Sequence, residues 1–219
     1  MEIVPVINCL DRICIRERWE GLRKLDAHAV HFDVADGVFA PVVSPLTPQL
    51  LRELLREDPD VHIEIHLMVR DPEVVIEAWL EAGAKRIIAH IEAAHDIPYL
   101  MRMAEEYGAL PVLGVMQKTE IKKIAGVLEA HGIRDAHLLE VAPGFSGQEM
   151  NPKASERIRT LRSEIPDVRI TIDGGVDALT VVAIRDAGAV RAVSSSFIWE
   201  SEHPREAYES LKKIGEEKM

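Results

Sequence analysis

The sequence predicts a single-domain, closed (β/α)8 barrel over residues 1–219, and three observations point to it. Eight short apolar runs alternate with stretches whose apolar residues recur at helical spacing. No linker or low-complexity tract interrupts that alternation. The length of 219 residues also fits, since one such barrel takes about 200 to 250 residues. An open doubly wound sheet is the competitor, but it usually has fewer strands, and no G-x-G-x-x-G follows the first run here.

The strand-like runs are residues 3–7, 29–34, 61–67, 86–91, 112–116, 136–141, 168–172 and 190–193, each rich in Val, Ile, Leu or Ala. Helix-like stretches between and after them include 48–56, 72–81, 97–106, 120–131, 152–163 and 178–187, with a terminal helix at 204–214. Asp71-Pro72, Thr119-Glu120 and Asn151-Pro152 read as helix starts. Gly83, Gly108, Gly132 and Gly188 read as helix ends.

Composition limits the function. A formal net charge of −11 opposes binding to nucleic acid or an anionic membrane through a diffuse field. No apolar run approaches the ~20 residues that cross a bilayer, and Met1-Glu2-Ile3-Val4-Pro5 lacks the features of a signal peptide, so a cytoplasmic location is expected. Cys9 and Cys14 are five apart without a second pair, which reads as two small half-buried residues rather than a disulfide framework or zinc ribbon.

A barrel of this kind works at the C-terminal ends of its strands. His31 and Asp33 lie two apart on the second run, so their side chains leave from one face. His66 closes the third run, and Asp173 follows the seventh. Counting around eight strands places Asp33 and Asp173 on opposite sides of anything bound at the mouth. Two imidazoles and two carboxylates suit one divalent ion such as Zn, Mn, Fe or Co. His62, His95, His131, His137 and His203 read as structural or solvated.

A second constellation consists of small residues. Gly144, Ser146 and Gly147 follow the sixth run, Gly174 and Gly175 the seventh, and Ser195 and Ser196 the eighth. Backbone N–H groups freed by such residues cradle a phosphate without Lys or Arg.

At these residues the chain resembles the ribulose-phosphate 3-epimerase family. That family's H-x-D-x-M-D-G-x-F-x-P stands here as His31-Phe-Asp33-Val-Ala35-Asp36-Gly37-Val-Phe39-Ala-Pro41. Its H-L-M-V is His66-Leu67-Met68-Val69, and its H-x-E is His90-Ile-Glu92. Its P-G-F-G-G-Q is Pro143-Gly144-Phe145-Ser146-Gly147-Gln148, and its D-G-G is Asp173-Gly174-Gly175. The likeness runs in family order over nearly the whole chain. It implies a TIM barrel of the ribulose-phosphate-binding type and an isomerase of carbohydrate metabolism in the pentose phosphate pathway, converting D-ribulose 5-phosphate to D-xylulose 5-phosphate.

The resemblance implies that His31, Asp33, His66 and Asp173 hold one divalent ion, that the two aspartates act as acid and base, and that Met68 lines the substrate site. A homo-oligomer follows from the same likeness. The chain departs from the family at Val6, Ala35, Ser146, Ser195-Ser196 and the Leu139-Glu140-Val141-Ala142 stretch. Those changes leave the ligand set intact and alter the pocket, so epimerisation of another ketose or ketose phosphate, such as a hexulose 6-phosphate, is one alternative. A non-catalytic metal- or phosphosugar-binding protein is another. Related barrels that decarboxylate or condense phosphosugars normally carry Asp-x-Lys-x-x-Asp on one strand, whereas the third run here is Glu64-Ile-His66-Leu-Met68-Val and offers no lysine.

Overall fold

The computed structural model describes residues 1–217. Eight parallel strands close into a barrel in chain order. They are β1 (Glu2–Ile7), β2 (Ala29–Ala35), β3 (His62–Met68), β4 (Arg86–His90), β5 (Leu110–Met116), β6 (Asp135–Leu139), β7 (Arg169–Asp173) and β8 (Arg191–Ser194). The helices are α1 (Arg12–Leu25), α2 (Pro48–Glu57), α3 (Pro72–Glu81), α4 (Ile97–Glu106), α5 (Ile121–His131), α6 (Ala154–Glu164), α7 (Thr180–Ala187), the single turn α8 (Ser196–Trp199) and α9 (Pro204–Glu216). Every predicted strand and helix is present, with ends displaced by no more than two residues.

Two helices add to the sequence reading. Helix α1 starts where the Asp11 side chain accepts from the Cys14 N–H, and it buries Ile15, Trp19, Leu22 and Leu25 against the barrel. Helix α8 is only four residues long, too short to show a helical period. The helix expected to open at Asn151-Pro152 begins at Ala154 instead. The reason is local, since the Asn151 side chain donates to Glu140 Oε2 at 2.7 Å and accepts from the Lys153 N–H.

The expectation of two unpaired cysteines is corrected. Cys9 and Cys14 form a disulfide, because the turn from β1 into α1 brings their Cα atoms to 5.8 Å, a separation a disulfide spans.

Strand residues alternate between two environments. Ile63, Ile65, Leu67, Ala136, Leu138, Ile170 and Ile172 are fully buried in the layer beneath the helices, where each large aliphatic side chain contributes about 1.5–3 kcal/mol. The opposite parity fills the lumen. Its N-terminal layer is ionic: Arg86 Nη1 donates to Asp135 Oδ1 at 3.1 Å, Arg86 Nη2 donates to Thr171 Oγ1 at 3.2 Å, and Arg191 pairs with Glu64. Lumen layers of such barrels are usually branched aliphatics.

The layer above it holds the histidines. In register, His31 lies opposite Glu64 and Asp33 opposite His66, while Gly114 is opposite both His90 and His137. Gly114 makes room for the His90 ring, as a Cβ there would lie 3.2 Å from His90 Cδ2 and from Ile88 Cγ2. Leu139 aligns with Asp173 and places that carboxylate at the C-terminal rim.

Candidate active site

Strand parity and register bring His31, Asp33, His66 and Asp173 together as the sequence predicts. His66 Nδ1 lies 3.0 Å from Asp33 Oδ1 and 3.4 Å from Asp173 Oδ2, so two carboxylates converge on one imidazole nitrogen. His31 Nε2 is 3.4 Å from Asp33 Oδ1 and 3.9 Å from Asp173 Oδ2. Both histidines are wholly buried.

Partners behind the rings fix their orientation. His31 Nδ1 lies 3.2 Å from Glu64 Oε2, which directs Nε2 at the aspartates. His66 Nε2 meets His90 Nε2 at 2.7 Å, and His90 Nδ1 is 3.3 Å from Glu92 Oε2. Glu92 is itself fixed by the Met116 N–H and the Thr119 hydroxyl.

One residue of the buried cluster was missed in the sequence. His137, read there as structural or solvated, is buried in the same cluster with Nε2 3.0 Å from Asp173 Oδ2. Its ring stacks on His31 at 5.4 Å between centroids and tilts against His66 at 4.5 Å. Ligand atoms of His31, His66, His137 and Asp173 all lie within 4.8 Å of one another. The barrel's register turns His137 inward on one face with Asp135 and Leu139.

The electrostatics follow from crowding. Burial favours neutral groups, yet the imidazoles His31 and His66 around Asp33 outweigh it and hold that carboxyl below its usual range. Asp173 is held well below its own range in the same way, against burial, by His137 and His66. For His31, burial is likewise outweighed by Asp33 and Glu64, which push the imidazole up to about 10. Burial together with the neighbouring His66 charge drives His137 down to about 3, so it is neutral. The cluster fits a divalent cation on its own chemistry. His31 Nε2 is buried without a hydrogen-bond partner among the described residues and faces two carboxylates.

Beside the cluster opens a cavity enclosing about 490 Å³, part of it open to solvent. Asp33, Asp173, Met68, Gly144, Ser146, Gly147, Gly174, Gly175, Ser195 and Ser196 all line it. The loop after β6 is held in place by Gln148, whose side chain donates to the carbonyls of Ala142 and Phe145, both at 2.7 Å. Asn8, missed in the sequence, donates to the Gly144 carbonyl at 3.2 Å and joins the lining. At Gly175, with φ +66°, a Cβ would run into the backbone of Met150, so glycine is required for the β7–α7 turn to pass that close.

A closed barrel with acid–base and metal-ligating side chains beside a cavity at its C-terminal mouth is the architecture of a (β/α)8 enzyme. Comparison with known proteins gives the particular kind. Residues 2–199 match the model of the ribulose-phosphate 3 epimerase family. The chain is 30% identical to "Ribulose-phosphate 3-epimerase" of Chlamydia muridarum, with 91% of this chain and 89% of the relative covered. It is also 30% identical to the "Ribulose-phosphate 3-epimerase, cytoplasmic isoform" of Oryza sativa, covering 97% and 93%. Among solved structures, a 3-hexulose-6-phosphate synthase from Salmonella typhimurium superimposes with a TM-score of 0.79 at 14% identity, covering 98% of both chains, which shows a shared fold. The protein belongs to the ribulose-phosphate 3-epimerase family and is an isomerase of the epimerase class.

Proposed function

We propose that the protein is a divalent-metal-dependent 3-epimerase interconverting D-ribulose 5-phosphate and D-xylulose 5-phosphate, with the ion held by His31, Asp33, His66 and Asp173. The observation that supports this most is the convergence of Asp33 and Asp173 on His66 Nδ1 at the edge of the cavity. Inverting one carbon needs a base on one face and an acid on the other. Asp33 and Asp173 stand on different strands beside one imidazole nitrogen, which offers a carboxylate for each face of the substrate. One aspartate then removes the C3 proton while the other delivers one to the opposite face. When bound, the ion supplies positive charge that stabilises the anionic enediolate. The metal is one of Zn, Fe, Mn or Co.

Met68, Gly144, Ser146, Gly147, Gly174, Gly175, Ser195 and Ser196 are the residues that would hold the sugar phosphate. The small side chains leave backbone donors accessible in a chain whose net charge of −11 repels a diffuse anion. The test is solvent exchange. Deuterium at C3 of D-ribulose 5-phosphate should wash out in the presence of protein and divalent metal, followed by NMR. If no ketose phosphate exchanges under metal-replete conditions, the protein is a non-catalytic binder.

A second reading, epimerisation of another ketose phosphate such as a hexulose 6-phosphate, draws support from Val6 and Ala142, two apolar residues in the cavity wall. Relative kcat/KM for the pentulose and hexulose phosphates decides between them. We also propose that the barrel domain runs over 1–219, of which 218–219 lie outside the described residues, and that copies associate as a homo-oligomer. A cytoplasmic location is proposed from the rice relative named as a cytoplasmic isoform. No helix among the described residues is long and apolar enough to cross a membrane.

A further inference from the structure

We infer that His137 is a ligand of the same metal ion, making the site a three-imidazole centre rather than one with two imidazoles and two carboxylates. The inference rests on the metal-binding reading above and puts His137 in the place that reading gives Asp33.

The argument starts from the strand. On β6, residues 135, 137 and 139 face the lumen, and His137 lies in register with Gly114 of the neighbouring β5 and Thr171 of β7. That placement puts one ring nitrogen from each of His137, His31 and His66 and a carboxylate oxygen of Asp173 within 4.8 Å of one another. These four atoms meet the mutual-distance condition for one ion without Asp33, whose Oδ1 lies against His66 and His31 at 3.0 and 3.4 Å.

Three imidazoles in a layer shielded from water have a shared difficulty. Every ring nitrogen there needs a partner, whether it carries a proton or a lone pair, and polar atoms left unpaired in such a place cost free energy. His31 Nε2 has no hydrogen-bond partner among the described residues, and of the two His137 nitrogens only Nε2 has one. A single ion accepts the inward lone pairs of all three. The protons then sit on the outward nitrogens, where Glu64 stands behind His31 and His90 behind His66.

The competing role for His137 is a hydrogen-bond donor to Asp173, which would leave the ion two imidazoles. The roles differ in how many rings feel the metal directly, and in preference. A third nitrogen ligand shifts selectivity toward Zn and Co over Mn.

The decisive measurement uses the cobalt(II)-loaded full-length protein in water. A ligated imidazole gives a strongly shifted exchangeable N–H signal in the proton NMR spectrum. Three such signals in the wild type, falling to two in His137→Phe, are the expected result, since Phe keeps the ring volume. Zn affinity by chelator competition should fall in that variant by more than the roughly 10–100-fold typical of losing an outer partner, while Mn affinity falls by less. Two shifted signals in the wild type overturn the inference without needing any variant to fold. No shifted signal at all would instead overturn the metal-binding reading on which it depends.

Discussion

Asp173 is the residue on which most of the site's interactions meet: His66, His31 and His137 all approach its Oδ2, at 3.4, 3.9 and 3.0 Å. Replacing it by Asn keeps the shape and removes the carboxylate to which we assign proton transfer. Turnover of Asp173→Asn should fall by about 10²–10⁴-fold with an unchanged far-UV circular dichroism spectrum; undiminished turnover would show that the opposing base lies elsewhere. Glu64, one layer below, tests stability instead. Despite burial, His31, Arg191 and Arg86 hold its carboxyl down at about 2, against 4.5 for the free group. A lowered folded-state pKa gives stability that is complete above pH 4.5 and is lost as pH falls toward 2. At about 1.4 kcal/mol per pH unit the loss is at most ~3.5 kcal/mol, and it should be missing from the acid unfolding curve of Glu64→Gln. Of these residues, His31, Asp33, His66 and Asp173 were legible because each is polar at or near the end of an apolar run. His137 was not, because its neighbours Ala136 and Leu138 make the segment read as plain core. Its inward direction depends on the strand's phase in the closed barrel.

At the level of elements, the strands were easy to read because each is rich in Val, Ile, Leu or Ala, and the helices because most carry Pro or Gly at an end. The disulfide was not, since whether residues five apart can bond depends on how tightly the chain turns from β1 into α1. Turn α8 escaped for want of length. The loops matter more to function, and the β7–α7 turn offers a test. Gly175→Ala must accommodate a left-handed φ of +66° and also a Cβ against the Met150 backbone. Gly132→Ala, at φ +67° with open space around it, meets only the first cost. The difference between the two variants in urea midpoint should correspond to about 1–3 kcal/mol, the usual range for overpacking. Gly175→Ala should also bind inorganic phosphate more weakly, whereas Gly132→Ala should bind it as the wild type does. Equal stability in the two variants would mean that the turn relaxes away from Met150, and that its close approach is not what selects glycine.

For the whole molecule, the site is also a clamp. The strands that carry His31, His66, His137 and Asp173 are β2, β3, β6 and β7, two pairs separated by β4 and β5 on one side and by β8 and β1 on the other. An ion held by all four therefore ties opposite walls of the barrel, and unfolding must release it. Binding that is confined to the native state adds RT ln(1 + [L]/Kd), about 2.7 kcal/mol when free metal is 100-fold above Kd. For a domain of this size that corresponds to a rise in Tm of roughly 5–11 °C. Chelation should lower Tm by the same amount while leaving far-UV circular dichroism at room temperature unchanged, because the strand ladder closes through backbone hydrogen bonds that do not involve the ion. The shift should vanish in His31→Ala, where the site loses a nitrogen that has no hydrogen-bond partner among the described residues. A metal-dependent rise that persists in that variant would place the stabilising ion outside the barrel mouth.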